Sequence, residues 1–176
     1  MDVGVSDRLR PVAVPSFDEW VAARVVPLLR FAYLLTGSQS EAEDAVQGAL
    51  ERALAAWPRV SRTDDPETYV RRMIVNQHIS VWRRWRRRVS PVAVVRETDT
   101  AGDPGEEVAA REAVRRLCAM LPPTQRAAVV LRYYEDRDYT EIAALLGCAE
   151  ATARSHVHRA LRVLRGELAK EDEDDA

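Results

Sequence analysis

The residues with the clearest chemical potential in this sequence are arginines grouped beside tryptophans and histidines. Residues 82–88 read W-R-R-W-R-R-R, and residues 151–166 carry four arginines and two histidines with no acid. Guanidinium groups neutralise phosphates and tryptophan rings offer stacking faces, so both segments could bind nucleic acid. Two plainer interpretations remain: a helix end whose charges complement the macrodipole, and a helical hairpin with a solvated basic face.

No pattern of catalytic or cofactor-binding residues accompanies these arginines. The sequence lacks a phosphate-cradling glycine loop, a G-x-S-x-G serine elbow and a cluster of histidines and cysteines. His78, His156 and His158 lack convincing ligand partners, and Cys118 and Cys148 lie outside metal-ligand spacing. We therefore expect no enzymatic activity, no metal and no cofactor, with both cysteines acting as small buried hydrophobes.

The distribution of charge says more about partners than its sum. The net charge is −2, yet residues 68–96 contain eight arginines and no acid, and residues 97–112 contain six acids against one arginine. Residues 171–175 are all acidic. Segregation of this kind creates local fields that favour a nucleic-acid partner for the basic segments.

Glycine is scarce and no stretch alternates apolar and polar residues, which predicts an all-α protein. We expect two small helical domains joined by a flexible linker, the second containing a helix-turn-helix. The predicted boundaries are a flexible tail at 1–15, a first domain at 16–88, a linker at 89–106, a second domain at 107–168 and an acidic tail at 169–176. No apolar run reaches membrane-spanning length and no signal pattern opens the chain, so we expect a cytoplasmic protein.

Helix signals place the elements of the first domain. Residues 16–19, S-F-D-E, form a predicted capping box, and Pro27 should kink or break the helix that follows. Gly37 should end it. A second capping box at Ser40 should open a helix to about Trp57, and a polar loop at 58–65 should lead to Asp65 as the N-cap of a long third helix.

The second domain should contain helices at about 107–120 and 125–134, followed by the helix-turn-helix. Thr140 is a plausible N-cap of its first helix, Gly147 offers the turn, and Ala149 stands at the entry to the second helix. That second helix is basic on its outer face and could enter a DNA major groove.

With these features the sequence resembles bacterial sigma factors of the extracytoplasmic-function class, which carry only regions two and four. Three blocks carry the resemblance: L-R-F-A-Y-L-L-T-G with A-E-D-A-V-Q at 29–47, D-P-E-T-Y-V-R-R running into the Trp/Arg segment at 65–84, and L-P-P-T-Q-R, L-R-Y-Y and the helix-turn-helix beyond residue 121. The resemblance implies core RNA polymerase and promoter DNA as partners, and leaves room for an anti-sigma factor. We expect a monomer because no heptad seam for dimerisation is present.

The resemblance also implies roles by position. The segment that would dock on the polymerase comprises Asp44, Ala45, Val46 and Gln47. The residues that would take up single-stranded DNA of the −10 element are Val60, Ser61, Arg62, Asn76, Trp82, Arg83, Arg84, Trp85 and Arg87. Those that would face the −35 element are Thr152, Arg154, Ser155, His156, His158 and Arg159.

The sequence departs from the family pattern at four positions. Gly48 replaces a usual acid, and a glycine inside a helix costs about 0.5–1 kcal/mol. Ala149 replaces a capping serine at a cost of about 1 kcal/mol, and Ala151 and Ala153 replace the usual glycine and valine. The three alanines should weaken the fourth region.

Two other function classes compete with this interpretation. A stand-alone helix-turn-helix regulator would explain residues 139–165 but would leave the Trp/Arg segment and the polymerase segment unexplained. An interaction protein that uses a degenerate sigma fold to sequester a partner is supported only by the three alanines of the turn.

Overall fold

The computed structural model describes residues 16–88 and 106–174. This part of the chain folds into eight helices and contains no strand, so the all-α prediction is confirmed. The helices are α1 (Phe17–Thr36), α2 (Gln39–Ala55), α3 (Trp57–Val60), α4 (Pro66–Arg88), α5 (Glu106–Ala119), α6 (Pro123–Tyr133), α7 (Tyr139–Leu146) and α8 (Glu150–Asp174). The predicted flexible tail and most of the predicted linker lie outside the described residues.

Helix α1 begins and ends where its sequence signals predict. The Ser16 hydroxyl accepts a hydrogen bond from the Glu19 amide at 3.3 Å, and the Glu19 carboxylate accepts one from the Ser16 amide at 2.9 Å. Gly37 ends the helix in the left-handed region with φ 75°. The expected break at Pro27 is wrong, since α1 runs through it. Pro27 and Ala23 are both exposed, so water can satisfy the carbonyl that the proline leaves without a partner.

The start of α2 and the segment before α4 differ from the prediction. Ser38, not Ser40, caps α2 by accepting from the Glu41 amide at 3.5 Å, because only Gly37 and Ser38 separate α1 from α2. Residues 58–65 are not all loop, since the first three of them belong to α3. Asp65 caps α4 as predicted, and its carboxylate accepts from the Thr68 amide at 2.9 Å.

Helix α7 begins at a different cap from the predicted one. Asp138 accepts a hydrogen bond from the Glu141 amide at 2.8 Å, and Glu141 accepts one from the Asp138 amide at 2.9 Å. This reciprocal capping box satisfies two amides, whereas a single Thr140 cap would satisfy one. Thr140 therefore lies in the first turn, where its hydroxyl donates to Glu150 at 3.2 Å.

The second helix of the helix-turn-helix is longer than predicted. Gly147 ends α7 with φ 64°, as expected, and α8 begins at Glu150, so Ala149 occupies the capping position with no side-chain oxygen to offer. Residues 169–174 of the predicted acidic tail belong to α8, which continues to Asp174. Lys170 pairs with Glu167 at 2.8 Å one turn earlier, which supports the extension.

The first group of helices, α1–α4, and the second group, α5–α8, share one continuous apolar core. The first group buries side chains of α1, α2 and α4, chiefly Leu28, Phe31, Leu35, Val46, Val70 and Ile74. The second buries side chains of α6, α7 and α8, chiefly Leu131, Ile142, Leu145, Ala153 and Val157.

Two buried arginines of the second group complete the carboxyl end of α1. Arg126, 8% exposed, donates to the Leu35 carbonyl at 2.8 Å, and Arg115, 2% exposed, donates to the Gly37 carbonyl at 3.2 Å. The last carbonyls of a helix have no partner within it and carry partial negative charge. Cations of α5 and α6 therefore stabilise α1 and hold the two groups together.

A third buried arginine forms an ion pair between the groups. Arg71 of α4 is 5% exposed, and its Nη1 lies 2.5 Å from Oε1 of Glu135, in the turn after α6. The guanidinium also pairs with Glu67 at 2.6 Å and lies 4.8 Å from the centre of the Phe31 ring. Burial raises the pKa of Glu135, while the neighbouring Arg71 acts in the opposite direction. The residue types gave no sign that these basic side chains were structural.

Candidate functional site

The first turns of α8 present the predicted −35 side chains in one exposed band. Thr152, Arg154, Ser155, His158 and Arg159 are exposed, while Ala153 and Val157 are buried beneath them. The helix therefore keeps this face exposed to solvent by burying Ala153 and Val157 on the side that packs against α6 and α7. This is the geometry that an α-helix needs to enter a major groove.

His156 differs from its neighbours because it is half-buried. Burial lowers the pKa of His156, and the positive charge of Arg159 lowers it further. At neutral pH the ring is therefore neutral and adds no positive charge to the band. It would contact DNA as a hydrogen-bonding group rather than as a cation.

The predicted −10 residues of α4 lie along its second half. Asn76, Arg83 and Arg84 are exposed and Trp82 is half-buried, so these side chains can reach a DNA strand. Arg84 donates to the Ser80 hydroxyl at 3.1 Å. Trp85 and Arg87 belong to the same helix, but their side chains lie outside the described part of the molecule.

The turn between α3 and α4 contributes less than predicted. Val60 is 1% exposed and packs inside the molecule, so its predicted contact with DNA is not possible in this arrangement. It is the last residue of α3, and burying its side chain anchors that helix. Ser61 is half-buried and Arg62 is exposed, so these two remain available to a ligand.

The predicted polymerase segment is only half accessible. Asp44 and Gln47 are exposed, whereas Ala45 and Val46 are 3% and 2% exposed. A period of 3.6 residues turns two of four consecutive side chains toward the core. The prediction that all four contact a partner directly is therefore wrong for Ala45, and Val46 can offer only one edge.

A shallow apolar groove of about 380 Å³ lies beside this segment, between α1 and α2. Its apolar lining is Phe17, Val25, Leu29, Val46, Leu50 and Leu54, and its polar lining is Glu43, Gln47 and Glu51. Sequence reasoning missed it. The available signal was two apolar pairs at i,i+4, Val25 with Leu29 and Leu50 with Leu54, on helices whose buried stripes lie elsewhere.

The structure explains the glycine inside α2. A Cβ at Gly48 would lie 3.1 Å from the side-chain oxygen of Gln77 on α4. That oxygen accepts from Arg52 at 2.6 Å, and the Gln77 amide donates to the Asp44 carbonyl at 3.4 Å. The glycine therefore allows Gln77 to lie against α2 and to bond both flanking turns.

Metal-ligand groups and thiols are the other features that could carry chemistry in the described part of the chain. Within 16–84 and 112–170 no three His, Cys, Asp or Glu side chains are grouped as metal ligands. Cys118 is buried and Cys148 half-buried, and both are free thiols whose pKa is raised by burial. Among the described helices, none is long and apolar enough to cross a membrane.

Known protein families match most of the chain. Residues 20–88 match the family pattern of sigma-70 region 2, and residues 111–164 match that of sigma-70 region 4. The RNA polymerase sigma-E factor of Streptomyces coelicolor is 34% identical over 92% of this chain and 90% of its own length. The sigma factor SigL of Mycobacterium tuberculosis is 34% identical over 85% of this chain and 84% of its own.

Solved structures show the same fold. The sigma factor RpoE of Bartonella quintana, in complex with the anti-sigma factor NepR, superposes with a TM-score of 0.66 at 24% identity, over 87% of this chain and 96% of that one. The extracytoplasmic function sigma factor SigJ of Mycobacterium tuberculosis gives a TM-score of 0.56 at 26% identity, over 85% of this chain and 53% of that one. The chain belongs to the sigma-70 family, as an extracytoplasmic-function sigma factor with regions 2 and 4 that directs promoter-specific transcription initiation.

Proposed function

We propose that the α1–α2 groove binds core RNA polymerase, and that α4 and α8 then contact the −10 and −35 elements of the promoter. The observation that carries this assignment is the opposite charge of the two kinds of surface. The exposed residues beside the groove include Glu43, Asp44 and Glu51, whereas the exposed band of α8 includes Arg154 and Arg159.

The acidic rim supports a protein partner at the groove rather than DNA. Phosphates would be repelled by three carboxylates, and the apolar floor offers them no hydrogen bonds. A helix with apolar residues on one face and basic residues at its edges would fit both features. We therefore assign the groove, with Asp44 and Gln47, to a helical segment of the polymerase.

The basic surfaces support different kinds of DNA contact. Arg83 and Arg84 lie in a run of arginines beside tryptophan, which suits the backbone and bases of an unpaired strand. Arg154 lies one turn into α8, where side chains of a recognition helix reach base edges. Because unpaired DNA is available only once polymerase opens the duplex, the first surface acts within the holoenzyme.

Binding both promoter elements at once would require the two helical groups to separate. The elements are centred about 25 base pairs apart, or roughly 85 Å at 3.4 Å per pair. A compact chain of 176 residues is only about 40 Å across. The seventeen residues 89–105 could span at most about 60 Å when fully extended. That span, added to the width of the two helical groups, covers the distance between the two promoter elements. The contacts of Arg71, Arg115 and Arg126 across the interface would then break.

An anti-sigma factor is a further proposed partner. The structurally similar RpoE of Bartonella quintana is bound to one, although its 24% identity shows likeness of fold alone. A protein that held α4 and α7 together would keep the two DNA-binding surfaces too close to reach both promoter elements. It would therefore block promoter binding.

The groove assignment is tested with two matched substitutions. Leu54 lines the groove and is 55% exposed, while Val26 lies on α1 outside the lining and is 52% exposed. Leu54→Asp should weaken core binding by at least tenfold, because it places a charge in an apolar contact, and Val26→Asp should leave it unchanged. Affinity for purified core polymerase is measured by fluorescence anisotropy. Equal affinities for the two variants would remove the groove from the interface.

A further inference from the structure

We infer that Tyr139 and Glu150 are positioning residues that hold the Arg154 guanidinium ready for a base of the −35 element. The inference rests on the proposed role of α8. The Arg154 guanidinium carbon lies 4.4 Å from the centre of the Tyr139 ring, and one of its nitrogens donates to Glu150 at 2.7 Å. An exposed arginine is thus fixed from two sides before any DNA arrives.

Glu150 and Tyr139, which contact Arg154, are themselves fixed by neighbouring side chains. The second Glu150 oxygen accepts from the Thr140 hydroxyl at 3.2 Å, which links α8 to α7. The Tyr139 ring is half-buried against the core, and a second guanidinium, that of Arg132, lies 5.2 Å from its centre. The network therefore spans α6, α7 and α8, and a side chain fixed in this way loses less rotamer freedom when it binds.

Helix stability alone explains only part of this arrangement. An acid at the first position of α8 favours the positive end of the helix dipole, and an i,i+4 pair with Arg154 adds a little more. Neither effect requires the guanidinium to stack on a ring of another helix. The orientation of Arg154 does require stacking on the Tyr139 ring, because stacking fixes the direction of the planar guanidinium as well as its position.

The carboxylate of Glu150 should also sharpen discrimination between DNA sequences. It is half-exposed at the end of α8 that faces DNA, so it repels the phosphate backbone of every sequence equally. This loss of affinity for DNA is offset only where Arg154 can form hydrogen bonds with a base. Glu150 thus lowers affinity for all DNA and, through Arg154, raises the advantage of the correct −35 element.

The test measures transcription by the reconstituted holoenzyme on two templates in one reaction. One carries a promoter selected by the holoenzyme from a genomic pool, and the other the same promoter with a scrambled −35 element. The ratio of the two transcripts cancels differences in core binding. Glu150→Gln should raise transcription from the scrambled template and lower the ratio by roughly twofold, the size expected from a lost i,i+4 ion pair.

Changes at the ring separate positioning from folding. Tyr139→Leu should lower the ratio by a similar factor, and Tyr139→Phe, which keeps the ring face, should restore it. In an Arg154→Ala background neither Glu150→Gln nor Tyr139→Leu should change the ratio further. If Tyr139→Leu fails to fold, Glu150→Gln decides alone, because Glu150 is a surface residue.

Two failures are distinguishable. If Arg154→Ala lowers the ratio while Glu150→Gln leaves it unchanged, the positioning inference is wrong and the −35 role of α8 stands. If Arg154→Ala itself leaves the ratio unchanged, the proposed role of Arg154 fails and the inference fails with it.

Discussion

Replacing Arg71 with methionine should destabilise the folded chain strongly at neutral pH and weakly at mildly acidic pH. The substitution keeps a similar volume over the Phe31 ring but leaves the carboxylate of Glu135 without its 2.5 Å partner. The Glu135 side chain is only 9% exposed, so its charge cannot be transferred to water while the fold stays closed. Breaking a buried pair in this way costs about 3–5 kcal/mol.

Protonation of Glu135 limits the free-energy cost of losing Arg71, because that cost cannot exceed the cost of neutralising the carboxylate. The ordinary pKa of a glutamate is 4.5, and burial already raises the pKa of Glu135 above it. At pH 7, neutralising the carboxyl costs about 1.36 kcal/mol for each of roughly 2.5 pH units, or about 3.4 kcal/mol. At pH 5 the same step costs about 0.7 kcal/mol. The stabilisation from protonated Glu135 is fully present below pH 4.5 and is lost as the pH rises through the folded-state pKa.

The assay is chemical denaturation of wild type and Arg71→Met at both pH values. The difference in free energy of unfolding should fall from about 3 kcal/mol at pH 7 to about 1 kcal/mol at pH 5. The double variant Arg71→Met with Glu135→Gln has no carboxylate at position 135 to neutralise, and Glu67 keeps its pair with Arg24 at 2.8 Å, so the deficit should be small and nearly independent of pH. A deficit for Arg71→Met that is equal at both pH values would refute the buried ion pair as the cause.

Three further predictions follow from particular residues. Ala149→Ser should raise the free energy of unfolding by about 1 kcal/mol, seen as a higher denaturation midpoint, because the hydroxyl can accept from a free amide of the first turn of α8. The lowered pKa of His156 means that stability should fall as the pH drops below 6.5 toward the folded-state pKa, and His156→Gln should remove that part of the slope in a pH series of melting curves. Limited proteolysis should cut first within residues 89–105, whose prolines, glycines and acids predict a linker, and the two fragments should co-elute on gel filtration because the buried arginines still join them. An unchanged midpoint, an unchanged slope, or fragments that separate at once would each contradict the corresponding argument.

Much of the fold could be predicted because its signals are local. The capping box at Ser16, the left-handed glycines at 37 and 147 and the cap at Asp65 each depend on residues within one helical turn. The errors are also local in origin. Ser40 and Thr140 are both chemically able to cap, and the choice of Ser38 and Asp138 depends on where the preceding turn ends.

The packing between the two helical groups could not be predicted in the same way. The sequence does not distinguish three buried arginines, Arg71, Arg115 and Arg126, from exposed ones. Each is buried because a carbonyl or carboxylate from a distant part of the chain lies opposite its guanidinium. A buried cation is recognisable only when its partner is known. Val60 and Ala45 are also buried, which excludes them from the predicted contacts. The groove beside Val46 was likewise not predicted, because it depends on how α1 and α2 pack.

The central claim is that this chain recognises promoters only together with core RNA polymerase. The most direct measurement is footprinting on genomic promoter fragments with the purified chain alone, with core alone and with both. We expect specific protection of the −35 and −10 elements and strand opening only when both are present, since the surface of α4 needs an unpaired strand and a single recognition helix binds duplex weakly. A sequence-specific footprint from the chain alone, unchanged when core is added, would contradict the account.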